Sequence, residues 1–301
     1  MPEPLISIIV PTYNRADLLP ATLKSLQAQG NRDFEIIIID DGSTDNTEEV
    51  VKPFSNQYTR YVKKANAERA AARNYGARLA RGMYVNFFDS DDLALTNHTD
   101  EATRMIQYFQ HPQWFHLAFE WVTPEGSIFR KVNNNSGETL NRQMALGNQL
   151  SCNGVFIRRD IFLQHLFNED RALSASEDYE LWLRLSARYP LYYSNSITSQ
   201  VVDHEMRSVR SINGQKLIDR LELFIHYIKQ DIAIKKYYGS SLRQIYMDAW
   251  SYIALHLGDY RSGKIKSFIY LLRAFRQSPR LLLTKRFYAS LKNWIFKWKM
   301  Y

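Results

Sequence analysis

The chain has 301 residues, of which 45% are hydrophobic and 23% charged, a composition typical of a folded globular protein and not of a disordered or collagen-like one. Its single cysteine, Cys152, excludes an intrachain disulfide and favours a reducing compartment. No signal-peptide pattern is visible, and no run reaches the roughly 18 apolar residues of a membrane span. We therefore expect a cytoplasmic protein, in solution or peripherally attached at the inner face of the membrane.

The net charge of +8 is distributed unevenly along the chain. Residues 1–204 hold 20 Lys and Arg against 25 Asp and Glu, whereas residues 205–301 hold 19 against 6. This asymmetry predicts a main domain over 1–205 and a basic region over 206–301 that meets something anionic.

The first 110 residues alternate between two hydrophobic periodicities. Continuous β-branched or aromatic runs predict buried strands at 5–10, 34–40, 59–64 and 83–89. Segments with helical spacing follow them at 16–30, from 45, at 67–82 and at 96–110. This order predicts βαβ units, that is, an α/β fold with a Rossmann-like, mostly parallel sheet and helices on both faces.

Polar groups follow three of these strands at their carboxyl ends, in Pro11–Tyr13, Asp40–Asp41 and Asp89–Asp91. In open α/β sheets, ligands bind beyond the carboxyl ends of the strands. The sequence therefore predicts one binding edge assembled from three separate segments.

The pattern changes after residue 110. Strands are predicted within 114–122 and 154–160 and a helix within 174–190, which gives a mixed second half of the domain. The basic region contains helical patterns at 215–237, 241–257, 261–277 and 283–299, separated near Gly239, Gly258 and Pro279. We expect a helical C-terminal extension.

The stretch "FFDSDD" at 87–92 gathers three carboxylates within four residues. It is compatible with a helix-capping turn, a solvated loop or a metal site. Alternate residues leaving a strand can turn toward one point, and two carboxylates with water and phosphate oxygens suit Mg²⁺ or Mn²⁺. Asp89 and Asp91 are therefore candidate metal ligands.

Four motifs follow one another along the chain: "ISIIVPTYNRADLLPATLKSL", "FEIIIIDDGSTDNT", "AARNYGARLARGMYVNFFDSDD" and "SEDYELWLRL". Together they resemble the family 2 glycosyltransferases, nucleotide-sugar-dependent inverting enzymes of the GT-A fold. The resemblance covers about residues 5–205. It implies a nucleotide-binding half over 1–110 and an acceptor half over 111–205.

The resemblance also implies a donor site. Pro11 and Tyr13 match positions that line the pocket of the nucleotide base, and Asp41, with Asp40 as the alternative, matches the carboxylate that binds the base. The remaining donor positions are Arg73, Asp89 and Ser90. Asp91 matches the metal ligand of the DxD motif, and Asp89 and His204 are further candidates, with Mn²⁺ or Mg²⁺ as the cofactor. Arg207 and Arg210 could offset phosphate charge.

Two acidic residues carry the predicted catalysis. An acceptor hydroxyl that attacks the anomeric carbon must lose its proton, and a carboxylate within hydrogen-bond reach can accept it. By resemblance Asp178 is this base, with Glu177 beside it. Taken alone, paired acids at the start of a helix are also typical of residues that complement the helix dipole.

The last residues interleave basic and aromatic side chains. Phe287, Leu291, Trp294 and Trp298 fall on one helical face. A basic helix of this kind is typical of a membrane-surface anchor, and residues 280–301 could bind anionic lipid; packing of this face on the domain is an equal alternative. No nucleic-acid recognition motif is present, so nucleic acid is not an expected partner.

The expected function is transfer of a sugar, of the hexosyl type, from a nucleoside diphosphate donor to a glycan or lipid-linked saccharide in polysaccharide biosynthesis, with UDP favoured as the nucleotide. One alternative is a catalytically degenerate GT-A scaffold that acts as a binding protein. A nucleotidyltransferase is disfavoured because "VPTYNRADLL" lacks the glycine-rich phosphate loop of that class.

Overall fold

The first half of the domain alternates strands and helices as the sequence predicts. The computed structural model describes residues 3–132, 140–204, 213–260 and 263–296. The strands of this half are β1 (Ile6–Thr12), β2 (Phe34–Asp40), β3 (Thr59–Lys63), β4 (Tyr84–Phe87) and β5 (Leu93–Ala94). Its helices are α1 (Leu19–Gln27), α2 (Thr47–Val51), α3 (Glu68–Leu79) and α4 (His98–Tyr108).

The second half adds strands and short helices, and five helices follow them. The strands are β6 (Trp114–Val122), β7 (Ile128–Val132), β8 (Val155–Arg158) and β9 (Tyr192–Val202). The helices of this part are α5 (Leu140–Gln143), α6 (Arg159–Gln164) and α7 (Glu177–Ser186). The C-terminal helices are α8 (Gly214–Gln230), α9 (Ile232–Tyr238), α10 (Leu242–Leu257), α11 (Lys264–Gln277) and α12 (Lys285–Phe296).

The described strands form one sheet in the order β3-β2-β1-β4-β8-β6-β9-β5, with β7 paired to β6. The parallel pairing expected for most of the sheet holds for β3-β2-β1-β4 and for β6 with β9. The other four pairings are antiparallel, so the whole sheet is mixed. Part of the reason is local: a short turn around Gly126 joins β6 to β7, and a hairpin of this length allows only antiparallel strands.

The sheet buries both faces because consecutive side chains of a strand point to opposite sides. Ile8 and Val10 belong to the core that contains residues of α1 and α4, whereas Ile9 belongs to the core that contains residues of α3 and the C-terminal helices. Gly76 allows α3 to lie close to the second face, since a Cβ atom there would be 2.5 Å from Cγ2 of Ile9. This close packing sets the position of the polar end of α3 over the strand ends.

The C-terminal helices share the hydrophobic core of the domain. Phe224 of α8 stacks on Tyr179 of α7, with 5.1 Å between ring centroids. The helix expected over 215–237 is interrupted at Asp231, whose carboxylate accepts a hydrogen bond from the Ile234 amide and so begins α9. Among the described helices, none is both long and apolar enough to cross a membrane.

Candidate functional site

Two loops at the carboxyl ends of β1 and β2 are tied together by side-chain hydrogen bonds. Asn14 adopts a left-handed backbone conformation with φ of 50°, and its amide donates to Oγ of Ser43 over 2.9 Å. The Asn14 side chain in turn accepts a bond from the Thr44 amide over 2.8 Å. The "PTYN" and "DDGS" segments therefore form one rigid wall at this edge of the sheet.

A cavity of about 330 Å³ opens at this edge. All but one of the donor-site residues predicted from the sequence line it, and Asp91 of the predicted metal site lines it too. These residues are Pro11, Tyr13, Asp41, Arg73, Asp89, Ser90 and Asp91. The three strand ends that the sequence predicts to form one binding edge do meet at this cavity.

Asp41 and Asp40 have different surroundings. The carboxylate of Asp41 faces the cavity and accepts hydrogen bonds from the Lys64 ammonium and the Ala67 amide. Asp40 is fully buried beneath the wall, where its carboxylate accepts bonds from the Ser43 amide and the Tyr61 hydroxyl. Asp40 does not line the cavity, so its position favours Asp41 as the residue that a bound base would meet.

The three carboxylates of "FFDSDD" point to three different partners. Asp89 accepts a bond from Nη2 of Arg73 over 2.7 Å, and Asp91 lies 3.0 Å from Nε2 of His204. Asp92 is buried, and its two oxygens accept bonds from the Asn153 side chain and the Val202 amide. Asp92 therefore fixes the end of β9, two residues before His204, beside the other two carboxylates.

Asp91 and His204 fit a divalent cation. Two neighbouring ligands of an octahedral ion, each about 2.1 Å from it, lie about 3.0 Å apart, which is the distance between Asp91 Oδ2 and His204 Nε2. Within the described ranges no three His, Cys, Asp or Glu side chains form a metal-binding group. The two side chains therefore suit an open site whose other ligands are water and phosphate oxygens, as Mg²⁺ and Mn²⁺ accept.

Arg73 joins the donor cavity to the acidic start of α7. Its side chain is only 2% exposed, and it donates to Asp89 from Nη2 and to Oε1 of Glu177 from Nη1, the latter over 3.0 Å. The other oxygen of Glu177 accepts a bond from the Ala175 amide. Both oxygens of Glu177 are thus engaged, and this side chain holds Arg73 in place.

Asp178, the next residue, is half-buried and has a more open environment. One of its oxygens accepts a hydrogen bond from the Asn148 side chain over 3.0 Å, and the other accepts one from the backbone amide of Tyr179. Burial, followed by repulsion from the Glu177 carboxylate, raises the pKa of Asp178 to about 6. A carboxylate with this pKa is ionised at neutral pH and is a stronger base than an ordinary aspartate.

A second cavity of about 430 Å³ lies between the sheet, α7 and the C-terminal helices α8 and α10. Asp178 lines it, together with Trp121 of β6 and Tyr252 of α10. Three residues line both cavities, namely Arg69, Arg73 and Asp89. The two cavities therefore meet at the Arg73 bridge.

Several residues of this region were missed by sequence reasoning. Arg69 had a usable signal, because it precedes Arg73 by one helical turn and so shares its face of α3. Asn148, which contacts Asp178, and Asn153, which contacts Asp92 and the Asp89 amide, had none. Both asparagines lie outside the quoted motifs, and only the fold brings them to the site.

The apolar face predicted on the last helix is partly packed against the domain and partly exposed. Phe287 packs against the core, whereas Leu291 and Trp294 are 36% and 44% exposed. Trp298 lies outside the described residues, as do Arg207 and Arg210. Packing on the domain thus accounts for part of this face.

The sequence matches the family model for glycosyl transferase family 2 over residues 7–159, about half of the chain. A relative from Rickettsia conorii, described as an uncharacterized glycosyltransferase, is 30% identical over 69% of this chain and 33% of its own length. The chain thus spans about a third of the length of this relative.

Two solved structures share the fold. S. aureus TarS 1–349 in complex with UDP-GlcNAc matches with a TM-score of 0.69 and 19% identity, over 96% of this chain and 89% of TarS 1–349. The mannosyltransferase PcManGT from Pyrobaculum calidifontis, in complex with GDP-Man and Mn²⁺, matches with a TM-score of 0.58 and 16% identity, over 96% and 78%. The GT-A fold with a helical C-terminal region is confirmed, and the chain belongs to glycosyl transferase family 2.

Proposed function

We propose that this protein is an inverting glycosyltransferase that moves a sugar from a nucleoside diphosphate, with UDP favoured, to a hydroxyl group of a glycan or a lipid-linked saccharide. The observation that carries the proposal is the meeting of two cavities at Arg73 and Asp89, with Asp178 in the second. An enzyme of this kind needs separate sites for donor and acceptor that join where the bond forms.

In this proposal the donor occupies the cavity that Pro11, Tyr13 and Asp41 line. Each carboxylate oxygen has two lone pairs. Lys64 and Ala67 therefore leave Asp41 able to accept a further bond from an imide N–H, such as that of uracil. Tyr13 is 47% exposed at the cavity and offers an aromatic surface to the base. UDP-GlcNAc in the TarS structure favours UDP as the first nucleotide to test.

Asp91 and His204 would hold the divalent cation, with Asp89 turned toward the sugar by Arg73. When bound, such an ion neutralises the diphosphate and stabilises the charge that develops on the leaving group. PcManGT was solved with Mn²⁺.

Asp178 acts as the general base. The acceptor hydroxyl donates its proton to the Asp178 carboxylate while its oxygen attacks the anomeric carbon on the face opposite the nucleotide. Configuration at that carbon is inverted because the attack and the departure occur on opposite sides. Glu177 is a positioning residue, since it keeps Arg73 between Asp89 and the base.

The donor site can be tested by a thermal-shift screen of UDP, GDP, dTDP, CDP and their common sugars, each with and without Mn²⁺. A ligand that binds only the folded protein raises the melting temperature. We expect a Mn²⁺-dependent shift with uridine nucleotides, abolished by Asp91→Ala.

A catalytically degenerate scaffold would bind nucleotide without turnover of any donor, and the same screen followed by an assay for sugar release separates the two functions. Absence of a shift with every nucleotide would contradict the donor site itself.

We further propose that the C-terminal helices contact an anionic membrane surface where a lipid-linked acceptor would be presented. α11 leaves five large apolar side chains exposed, and basic residues lie nearby. The exposed apolar residues are Ile265, Phe268, Ile269, Leu272 and Phe275, and the exposed basic residues include Lys266, Arg276, Arg280 and Lys285. Apolar and basic groups together are what peripheral helices present to anionic lipid.

Sedimentation with vesicles tests this attachment. The protein should pellet with phosphatidylglycerol vesicles at low salt, and Phe268→Ser should weaken pelleting. Phe129→Ser on β7 is the matched control, because Phe129 and Phe268 are 54% and 52% exposed. Equal effects of the two substitutions, or no pelleting of the unaltered protein, would rule out attachment through α11.

A further inference from the structure

Arginine side chains form much of the charged lining of the second cavity. Five arginines line it: Arg69, Arg73, Arg130, Arg220 and Arg286. Three of them form ion pairs within the protein: Arg73 with Asp89 and Glu177, Arg286 with Asp248, and Arg69 with Glu177 over 3.9 Å. Their charge is neutralised, so they form the walls of the cavity and are poor candidates to bind a ligand's charge.

Arg220 differs from these paired arginines. It lies on α8 and is half-buried, and its Nε has neither solvent access nor a hydrogen-bond partner in the described part of the chain. No ion pair of Arg220 is formed with any described residue. Burial lowers the pKa of the Arg220 guanidinium, which nevertheless keeps its charge, as arginine does throughout proteins. A partly buried cation whose Nε has no partner is stabilised when a ligand supplies the anion.

The position of Arg220 relates it to the proposed base. Arg220 and Asp178 line the same cavity, and the carboxylates of Glu177 and Asp178 act on Arg220 electrostatically without bonding to it. Leu221 and Phe224, on the same helix, also line the cavity. An anion held by Arg220 would therefore share the cavity with the group that accepts the proton of the acceptor.

We infer that Arg220 is the centre of a subsite for an anionic group, a phosphate or a carboxylate, carried by the acceptor close to the hydroxyl that reacts. This inference rests on the proposed function for its meaning, since it identifies the second cavity as the acceptor site. The guanidinium has a fork of donors that matches both anions. A neutral acceptor would leave Arg220 unpaired, so the subsite selects for charged acceptors.

Ligand-observed NMR tests the subsite with three simple probes: glycerol 3-phosphate, glucuronate and the neutral control glycerol. The protein is first saturated with UDP and Mn²⁺, which blocks the donor cavity. Both anions should bind more tightly than glycerol, and Arg220→Met should weaken them by about tenfold or more, the loss expected for a charge-assisted hydrogen bond. The tighter anion of the two identifies phosphate or carboxylate as the natural group.

Two matched variants complete the design. Arg220→Lys keeps the charge and should retain part of the affinity, whereas Arg243→Met removes an exposed arginine of α10 outside the cavity and should change nothing. Without ligand, Arg220→Met should melt at the same temperature as the unaltered protein or higher, because it removes an unpaired and partly buried charge.

Two results would overturn the inference: no binding of either anion up to about 50 mM, about fiftyfold above the Kd of a millimolar site; or equal binding by Arg220→Met, whatever its melting temperature. Failure of the proposed function gives a different result. In that case UDP does not bind. The anions, measured without UDP, still bind more weakly to Arg220→Met than to the unaltered protein.

Discussion

The substitution Asp178→Asn removes the proposed base while keeping the shape of the side chain. Its amide oxygen can still accept the bond from Asn148, so the geometry of the cavity should survive. General bases contribute about 10²–10⁴-fold to enzymatic rates, and we expect kcat to fall by about that factor. Nucleotide binding should stay unchanged, because Asp178 does not line the donor cavity.

The same substitution has a predicted effect on stability. In the folded protein the pKa of Asp178 is raised from 3.8 to about 6. The folded state therefore binds this proton more tightly, and the stability that results is present below pH 4 and lost as pH rises through 6. At pH 8 the variant avoids this loss, and after discounting for partial exposure it should gain about 1–2 kcal/mol. The gain should shrink toward zero as pH approaches 4.

Asp231→Asn is the matched control with the opposite sign. Burial alone would raise the pKa of Asp231, but bonds from the Ile234 amide and Arg188 outweigh it and lower the pKa. This carboxylate stabilises the fold above its unfolded pKa and loses that contribution as pH falls, so its substitution should destabilise the protein at pH 8.

Urea unfolding at pH 4.5 and 8 measures both variants, and kcat against pH should rise through about 6 for the unaltered enzyme. A loss in kcat below tenfold for Asp178→Asn, with normal nucleotide binding, would refute the assignment of the base.

Two further substitutions test how Arg73 is held. Gly76→Ala places a Cβ 2.5 Å from Cγ2 of Ile9 and should destabilise the protein by about 1–3 kcal/mol in urea unfolding; an unchanged midpoint would show that α3 can move away freely. Glu177→Gln leaves Arg73 with one carboxylate and should lower stability by about 1–3 kcal/mol while weakening catalysis more than nucleotide binding. Equal losses in kcat and nucleotide affinity for this variant would contradict a role confined to positioning.

The fold and the site were easiest to predict from the sequence where a short run of similar residues determines the local structure. The buried runs of β1 and β2 and the polar groups at their ends predicted both the sheet and the edge at which the cavity opens. Asp89 and Asp91 could be identified as candidate metal ligands because two carboxylates at this spacing, directly after a strand, can turn toward one cation. The resemblance favoured Asp41 over Asp40, but the burial of Asp40 was not predictable, since it depends on Tyr61 from the neighbouring strand β3.

The acceptor side was less predictable because its residues are assembled over long distances along the chain. Arg220 and Asp178 are brought together by packing of α8 against α7, and no local pattern marks an arginine in an amphipathic helix as unpaired. The break at Asp231 was also missed. A single capping aspartate within a continuous helical periodicity looks like an ordinary exposed residue until its partners Ile234 and Arg188 are known.

The central claim is that transfer inverts the configuration at the anomeric carbon of the sugar. ¹H NMR of donor turnover tests this claim most directly. The enzyme is incubated with the UDP-α-sugar that gives the largest thermal shift, with Mn²⁺ and with water as the acceptor, and the anomeric signals of the released sugar are followed before mutarotation. We expect the β-anomer to form first and Asp178→Asn to slow its release by about 10²–10⁴-fold. First appearance of the α-anomer, or no release of sugar from any donor that binds, would contradict it.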